Sequence, residues 1–257
     1  MGSADESQLL HDALCEATRR LAGALEDARF EPHSSYTVVS FPTFPLPSFN
    51  GVWVDDDTPL LELAEGLEEL KDAEAPLGFL VRRRATDGVE GAVRELGFTS
   101  PDRIPGMIVT ADELQEAPAP DLEVLRIETA DGFAQSLAVA AEGFGVPAEL
   151  IAPIYMLEVT SMDGFHVYLG RAEGKDVTTA LGFVLGDAIG IFNVATPPEY
   201  RAHGYGAAIT AHAVREGFDS GGTFAFLQST PMGEPVYRRL GFREVETYTL
   251  FTRPNSH

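Results

Sequence analysis

The sequence predicts a mixed α/β protein (an α+β mixed sheet) in two parts, and three observations predict it. Short apolar runs alternate with helical periods along the 257 residues. A proline-stiffened segment, EAPAPD at 116–121, interrupts that alternation, so the expected domains are 1–118 and 119–257. The phrase that closes a helix also occurs twice, as Arg94-Glu95-Leu96-Gly97-Phe98 and as Arg238-Arg239-Leu240-Gly241-Phe242.

Residues 6–27 carry Leu10, Leu14, Ala17, Leu21 and Leu25 at three- and four-residue steps, the spacing of an amphipathic helix. The prolines of SFPTFPLPSFNGVWV, 40–54, forbid helix and leave an extended segment entering a short strand. Asp57 and Thr58 precede Pro59 and the leucine face from Leu60 to Leu70, which reads as a capped second helix. A strand at 77–82, a helix at 87–96 stopped by Gly97 and a strand at 105–110 complete the first part. The second part reads as a strand at 122–128, helices near 130–143 and 147–160, and strands near 165–171, 177–185 and 188–195. A helix at 204–217, a strand at 223–229, a helix at 232–240 and a strand at 243–253 follow.

Composition narrows the function. The net charge is −22, and the acidity is shared: the first 118 residues carry 9 basic and 23 acidic side chains, the remainder 9 and 17. That balance argues against a nucleic-acid partner, whose phosphates would be repelled. It is ordinary for a solvated acidic surface and compatible with a cationic amine substrate. No apolar run is long enough to span a membrane, and MGSADESQLL does not read as a secretory leader, so a cytoplasmic address is expected. The single cysteine, Cys15, excludes an intrachain disulfide framework and a multi-cysteine metal site; no metal is expected.

The chemistry is concentrated in FNVATPPEYRAHGYGAAITAHAVREG, 192–217. An apolar strand ends at Val194-Ala195, a proline turn follows, and Arg201-Ala202-His203-Gly204-Tyr205-Gly206 opens a helix. Glycines at a helix start let successive N–H groups face one concavity, where the helix dipole favours a pyrophosphate. Alone, such a loop also serves close packing; it is neither a dinucleotide fingerprint nor a Walker A sequence. About thirty residues later comes Val236-Tyr237-Arg238-Arg239-Leu240-Gly241-Phe242. This series, from about 165 to 253, resembles the GCN5-related N-acetyltransferase (GNAT) family of acyl-CoA-dependent N-acyltransferases.

The resemblance implies a GNAT fold and acetyl-CoA as acyl donor. The backbone of Val194 and Ala195, where neighbouring strands splay, would hold the pantetheine arm. Arg201, His203, Gly204, Tyr205, Gly206 and Ala207 would form the pyrophosphate cradle, mostly through N–H groups. Thr230 stands where many relatives place a cofactor-touching asparagine. Tyr237 would be the general acid that protonates the departing thiolate, its bland alternative being a helix tyrosine packed on the sheet. Acetyl-CoA is already activated, so a bound amine can attack directly and no covalent enzyme intermediate is needed. Glu158, His166 and Glu234 are candidate general bases on position alone.

The first part lacks the R-x-x-G-x-G loop and has Val93 where the second has Tyr237. Leu-Gly-Phe is a common helix stop, so chance is one account of the echo. The other is a degenerate GNAT-like half preceding a competent one, an arrangement known in tandem GNAT proteins. That half would wall the acceptor pocket, with Phe49, Asn50 and Trp53 as contacts. The expected function is transfer of acetyl to a primary amine of a small molecule. The alternatives are a protein or peptide acceptor, or a GNAT-like acyl-CoA sensor without turnover. The oligomeric state is open, a homodimer being one option.

Overall fold

A computed structural model describes residues 3–85, 87–117, 119 and 121–254. The expected linker prolines, Pro118 and Pro120, lie outside the described residues. The chain runs α1 (Ser3–Ala24), β1 (Arg29–Pro32), β2 (Tyr36–Ser40), β3 (Asn50–Val54), α2 (Leu60–Glu68), β4 (Gly78–Arg82), α3 (Asp87–Glu95) and β5 (Ser100–Thr110). It continues through β6 (Glu123–Ile127), α4 (Ala130–Phe144), α5 (Leu157–Thr160), β7 (Phe165–Ala172), β8 (Lys175–Leu185) and β9 (Ala188–Ala195). The last elements are α6 (Tyr205–Asp219), β10 (Phe224–Gln228), α7 (Glu234–Arg239) and β11 (Arg243–Thr252). The mixed α/β architecture is as the sequence predicts.

Three local expectations change. The helix expected at 147–160 is broken into 3-10 turns at Ala148–Leu150 and Ala152–Tyr155 followed by α5, because Pro147 and Pro153 cannot donate within a helix. The segment 29–40, left unassigned by the sequence, forms the antiparallel pair β1–β2. Thr58 does not cap α2; its hydroxyl donates to the carbonyls of Ser35 (3.2 Å) and Asp56 (2.9 Å), and Pro59 takes the cap position without a side-chain bond.

The chain divides into two compact units, neither of them contiguous. Unit 1 is Met1–Ala17 with Gly106–Val245; unit 2 is Thr18–Pro105 with Glu246–His257. The expected cut at 118 therefore falls inside unit 1, and the reason lies in the strands. One series, β1-β2-β3-α2-β4-α3-β5, has the same order as a second, β7-β8-β9-α6-β10-α7-β11. In each, the first three strands pair antiparallel and the third pairs parallel with the fourth. The last strand of each series is built into the other unit. Met107–Thr110 of β5 lie antiparallel to β10, and Tyr248–Thr252 of β11 lie antiparallel to β4.

The doubled phrase ends both α3 and α7 in the same way. Phe98 N–H donates to the Val93 carbonyl (3.3 Å), and Phe242 N–H to that of Tyr237 (3.0 Å). Gly97 and Gly241 adopt φ of +89° and +94°, the left-handed stop that a side chain would strain. Val93 is fully buried in the unit 2 core with Val52, Leu63, Phe79, Phe98 and Phe251. Tyr237 only flanks the unit 1 core of Tyr168, Ile191, Ile209, Leu227 and Phe242.

The two parallel pairs differ where it matters for a site. β3 stays with β4 to its end, from Gly51↔Gly78 to Val54↔Val81. β9 stays with β10 only from Ala188↔Phe224 to Gly190↔Phe226, then leaves it through Ala195. Unit 2 is closed at the position where unit 1 opens.

Within unit 2 the exchanged strand is fixed by a buried ion pair. Arg82 Nε and Nη2 lie 3.0 and 2.9 Å from one Glu246 oxygen, while Thr247 N–H donates to the other at 2.8 Å. Both side chains are about 2% exposed. Removing one partner strands the other charge, so Glu246→Gln should cost about 3 kcal/mol, read as a lowered urea midpoint. The double variant Arg82→Met/Glu246→Leu should recover most of that loss.

Candidate active site

A cavity of about 1010 Å³ occupies the gap that β9 leaves in unit 1. Its walls come from the ends of α4 and β9, the 196–204 turn, the first residues of α6, the 230–233 turn and α7. Two features of β9 create the gap. The β8–β9 register passes from Leu181↔Phe192 to Thr179↔Ala195, so Asn193 and Val194 share the space opposite Ala180 as a bulge. Asn193 accommodates the extra residue with φ of +52°. Its amide donates to the Tyr155 hydroxyl (2.9 Å), and Thr178 holds the Ala195 carbonyl (2.9 Å).

The turn between β9 and α6 is anchored by Arg201. Its Nε donates to the Thr196 carbonyl (3.1 Å) and its Nη2 to the Gly143 carbonyl near the end of α4 (2.7 Å), where a cation also suits the helix dipole. Arg201 therefore lines the cavity while holding its walls together. Ala202 and Gly204 are left-handed, at φ +64° and +85°, the backbone form that gathers N–H groups into an anion-binding concavity. Gly204 caps α6 without a side-chain bond, and the first turn of this 15-residue helix carries no acidic residue. The leading N–H groups of α6 thus face the cavity side of the turn with no intrahelical acceptor. In a chain with 40 acidic residues, an uncapped, acid-free helix start lining a cavity suits an anion.

Of the residues expected at the cofactor, Val194, Ala195, Arg201, Gly204, Tyr205, Gly206, Ala207 and Thr230 line this one cavity, together with Tyr237. His203 does not. It is exposed, donates from Nδ1 to the Arg201 carbonyl (2.8 Å) and stacks on Tyr205 at 5.5 Å, so it shapes the turn. The Thr230 hydroxyl accepts from Gly233 N–H (3.2 Å) and so caps the entry to α7. Tyr237 rests edge-on against Phe242, and burial pushes its hydroxyl up to about 12, which keeps it protonated at neutral pH.

Phe49, Asn50 and Trp53 are not in the lining of this cavity. Asn50 is fully buried in unit 2, accepting from Phe41 N–H (2.9 Å) and donating to the Phe44 and Leu46 carbonyls (2.5 and 3.1 Å). Trp53 donates from its indole to the Ser48 carbonyl (3.2 Å). Phe49 is half-buried against Phe41 and Phe44. None of Glu158, His166 and Glu234 lines the cavity either. Glu158 is exposed, Glu234 bridges to Arg238 at 2.6 Å, and His166 sits on β7 with its pKa lowered by burial.

Sequence reasoning missed Gly143, Phe144, Thr196, Met232 and Glu116 as lining residues. For Glu116 the proline-rich context pointed to a linker; for Phe144 and Met232, 43% and 67% exposed, no local pattern distinguishes a cavity mouth from surface. Among the described residues no cluster of three or more His, Cys, Asp or Glu could hold a metal ion, and no helix is long and apolar enough to cross a membrane.

No family model and no curated protein matches the chain. Solved structures do. A GCN5-related N-acetyltransferase from Kribbella flavida is similar with a TM-score of 0.70 and 20% identity, over 95% of this chain and 96% of that one. A functionally unknown conserved protein from Staphylococcus epidermidis is similar at 0.68 and 14% identity, over 90% and 96%. A GCN5-related N-acetyltransferase from Sphaerobacter thermophilus is similar at 0.60 and 17% identity, over 100% and 95%. At these identities the likeness establishes the fold, which is that of GCN5-related N-acetyltransferases over nearly the whole chain.

Two tyrosines of unit 1, Tyr237 and Tyr155, contribute to an alkaline limit on stability. Burial also pushes Tyr155 up to about 12, the bonds with Asn193 and Thr179 only partly offsetting it. The folded state keeps protons that the unfolded chain releases near the ordinary value of 10.0, so this stabilisation is full below pH 10 and is lost as pH rises towards about 12. Tyr155→Phe should flatten that limb in denaturant titrations between about pH 9 and 12, and cost about 1 kcal/mol at neutral pH through the lost Asn193 bond.

Proposed function

We propose that this protein, which has the GNAT fold, is an acetyl-CoA-dependent N-acetyltransferase that acetylates the primary amine of a small molecule. One observation carries the reading. A single cavity brings together an uncapped helix N-terminus, the strand edge that β9 exposes on leaving β10, and the Tyr237 hydroxyl. These suit in turn a pyrophosphate, an amide-bearing arm and a thiolate leaving group, which is the chemical order of acyl-CoA. The volume also suits a ligand of that size.

Bound there, acetyl-CoA supplies an activated thioester. The leading N–H groups of α6 hold the pyrophosphate, with the loop kept in shape by Arg201. The backbone of Val194 and Ala195, on the edge that β9 exposes beyond its pairing with β10, orients the arm and the acyl carbonyl; the bulge at Asn193 aims it. Tyr237 keeps its proton until the C–S bond breaks and then gives it to sulfur. With Glu158, His166 and Glu234 outside the cavity, the proton of the incoming ammonium leaves through water.

We read the β1–β5 series as a degenerate copy of the same fold. The repeated element order, pairing and helix stop support this, as does the pairing of β3 with β4 to its end, which leaves no gap for a pantetheine arm. Val93 completes a core where Tyr237 meets a cavity.

Incubation with acetyl-CoA and a panel of primary amines, followed as free thiol release, should show turnover. Acetyl-CoA binding without turnover on any amine would replace the enzyme by a sensor. Tyr237→Phe should lower kcat by ~10²–10⁴-fold with acetyl-CoA affinity preserved. Gly206→Glu, which places a carboxylate at the α6 N-terminus beside Thr196, should weaken acetyl-CoA binding at least tenfold, to roughly the extent of a lost charge-assisted contact. An unchanged dissociation constant would contradict the placement of the pyrophosphate.

A further inference from the structure

The cradle explains how a pyrophosphate is held, but many nucleotides carry one. What else in the cavity reads the ligand is a question of charge. The lining contains two cations, Arg201 and Arg239, and one acid, Glu116. Arg201 is committed to the Thr196 and Gly143 carbonyls. Arg239 is different: it is exposed, at the end of α7, and no carboxylate lies within ion-pair distance of it among the described residues. Its neighbour Arg238 is locked between Glu234 (2.6 Å) and Glu244 (3.2 Å). Two adjacent arginines on one short helix thus have opposite fates, one spent on the protein and one left facing the cavity.

Helix geometry gives the direction. At about 100° per residue, Val236 and Leu240 form the stripe that α7 turns to the cavity, while Tyr237 and Arg239 stand on its opposite flanks, roughly 160° apart. All four line the cavity. If Tyr237 serves the thioester end, Arg239 stands towards the other end, where a CoA thioester carries adenosine and its ribose 3′-phosphate. That phosphomonoester bears close to two negative charges at neutral pH, and a guanidinium is matched to it in shape and charge.

We propose that Arg239 is the residue that reads the ribose 3′-phosphate, making the cavity selective for CoA thioesters over nucleotides that carry only the pyrophosphate. The inference rests on the acyl-CoA reading above and deepens it. It also answers an electrostatic difficulty: a chain of net charge −22 must bind a ligand with several negative charges, and the cradle supplies only partial charges. A full cation at the ribose phosphate supplies the rest, and Arg239 is the lining cation free to do so.

The test is calorimetric titration of the full-length protein with CoA and with dephospho-CoA, which differ only in that phosphate. The wild type should bind CoA about tenfold more tightly, the scale of a charge-assisted bond at an exposed site. Arg239→Gln should bring CoA down to the affinity of dephospho-CoA and leave the latter unchanged. The slope of log affinity against log salt should also fall for CoA alone. Arg238→Gln, which leaves the lining intact, should keep the preference. Equal affinities in the wild type, or a preference that survives in Arg239→Gln, would overturn the assignment. If neither ligand binds at millimolar concentration, the acyl-CoA reading fails and this inference with it. If both bind alike, only the role of Arg239 falls.

Discussion

The site in unit 1 depends on one constraint: β9 must leave β10 after Gly190 while remaining attached to β8. Parallel strands in a sheet satisfy each other's N–H and C=O groups, and separating them exposes groups that need partners. The extra residue at Asn193 makes the separation possible by bending β9, and the bonds from Thr178 and to Tyr155 keep the bent form from relaxing. The groups freed on the β10 side are then available to a ligand. Arg201 completes the arrangement by tying the turn beyond β9 to the end of α4. The cavity is a consequence of a strand that is held open.

This makes the contrast with unit 2 interpretable in physical terms. There the corresponding pair is zipped from Gly51↔Gly78 onward, and no ladder groups are released. A hydroxyl at position 93 would sit in a core of valine, leucine and phenylalanine with nothing to bond, at a cost of a few kcal/mol. Valine there is what packing demands, and tyrosine at 237 is tolerated because its ring flanks a core and its hydroxyl borders a cavity. Both helices keep Leu-Gly-Phe, because the left-handed glycine and the returning phenylalanine are required wherever such a helix feeds a strand.

Much of this was legible in the sequence. The Val194-Ala195 strand end, the glycine-rich helix start and Tyr237 were separate in the chain, and the structure places them on one cavity. The helix stops were legible because their chemistry is local. What was not legible depends on pairing across long separations. Nothing in β5 or β11 signals that each is built into the other unit, since an alternating strand fits any neighbour with a matching face. Asn50 looked like a polar contact near a pocket, but its role as an internal bracket for the 41–46 loop requires knowing where that loop folds. Arg201 lines the cavity as its motif suggested, but its bonds to the Thr196 and Gly143 carbonyls could be seen only with α4 in position.

The form of the proposed anion site also follows from the whole chain. A lysine-rich phosphate site would be the direct solution, but the sequence has 18 basic residues against 40 acidic ones, and arginines such as Arg238 and Arg243 are absorbed by ion pairs. Backbone N–H groups cannot be neutralised in this way. The proposed cradle, a left-handed turn and an uncapped helix start, would therefore keep its attraction for phosphate in an acidic background, provided no carboxylate intrudes in the first turn of α6. Tyr205, Gly206 and Ala207 meet that condition, and on this argument an acidic substitution there should weaken anion binding more than removal of a distant surface lysine.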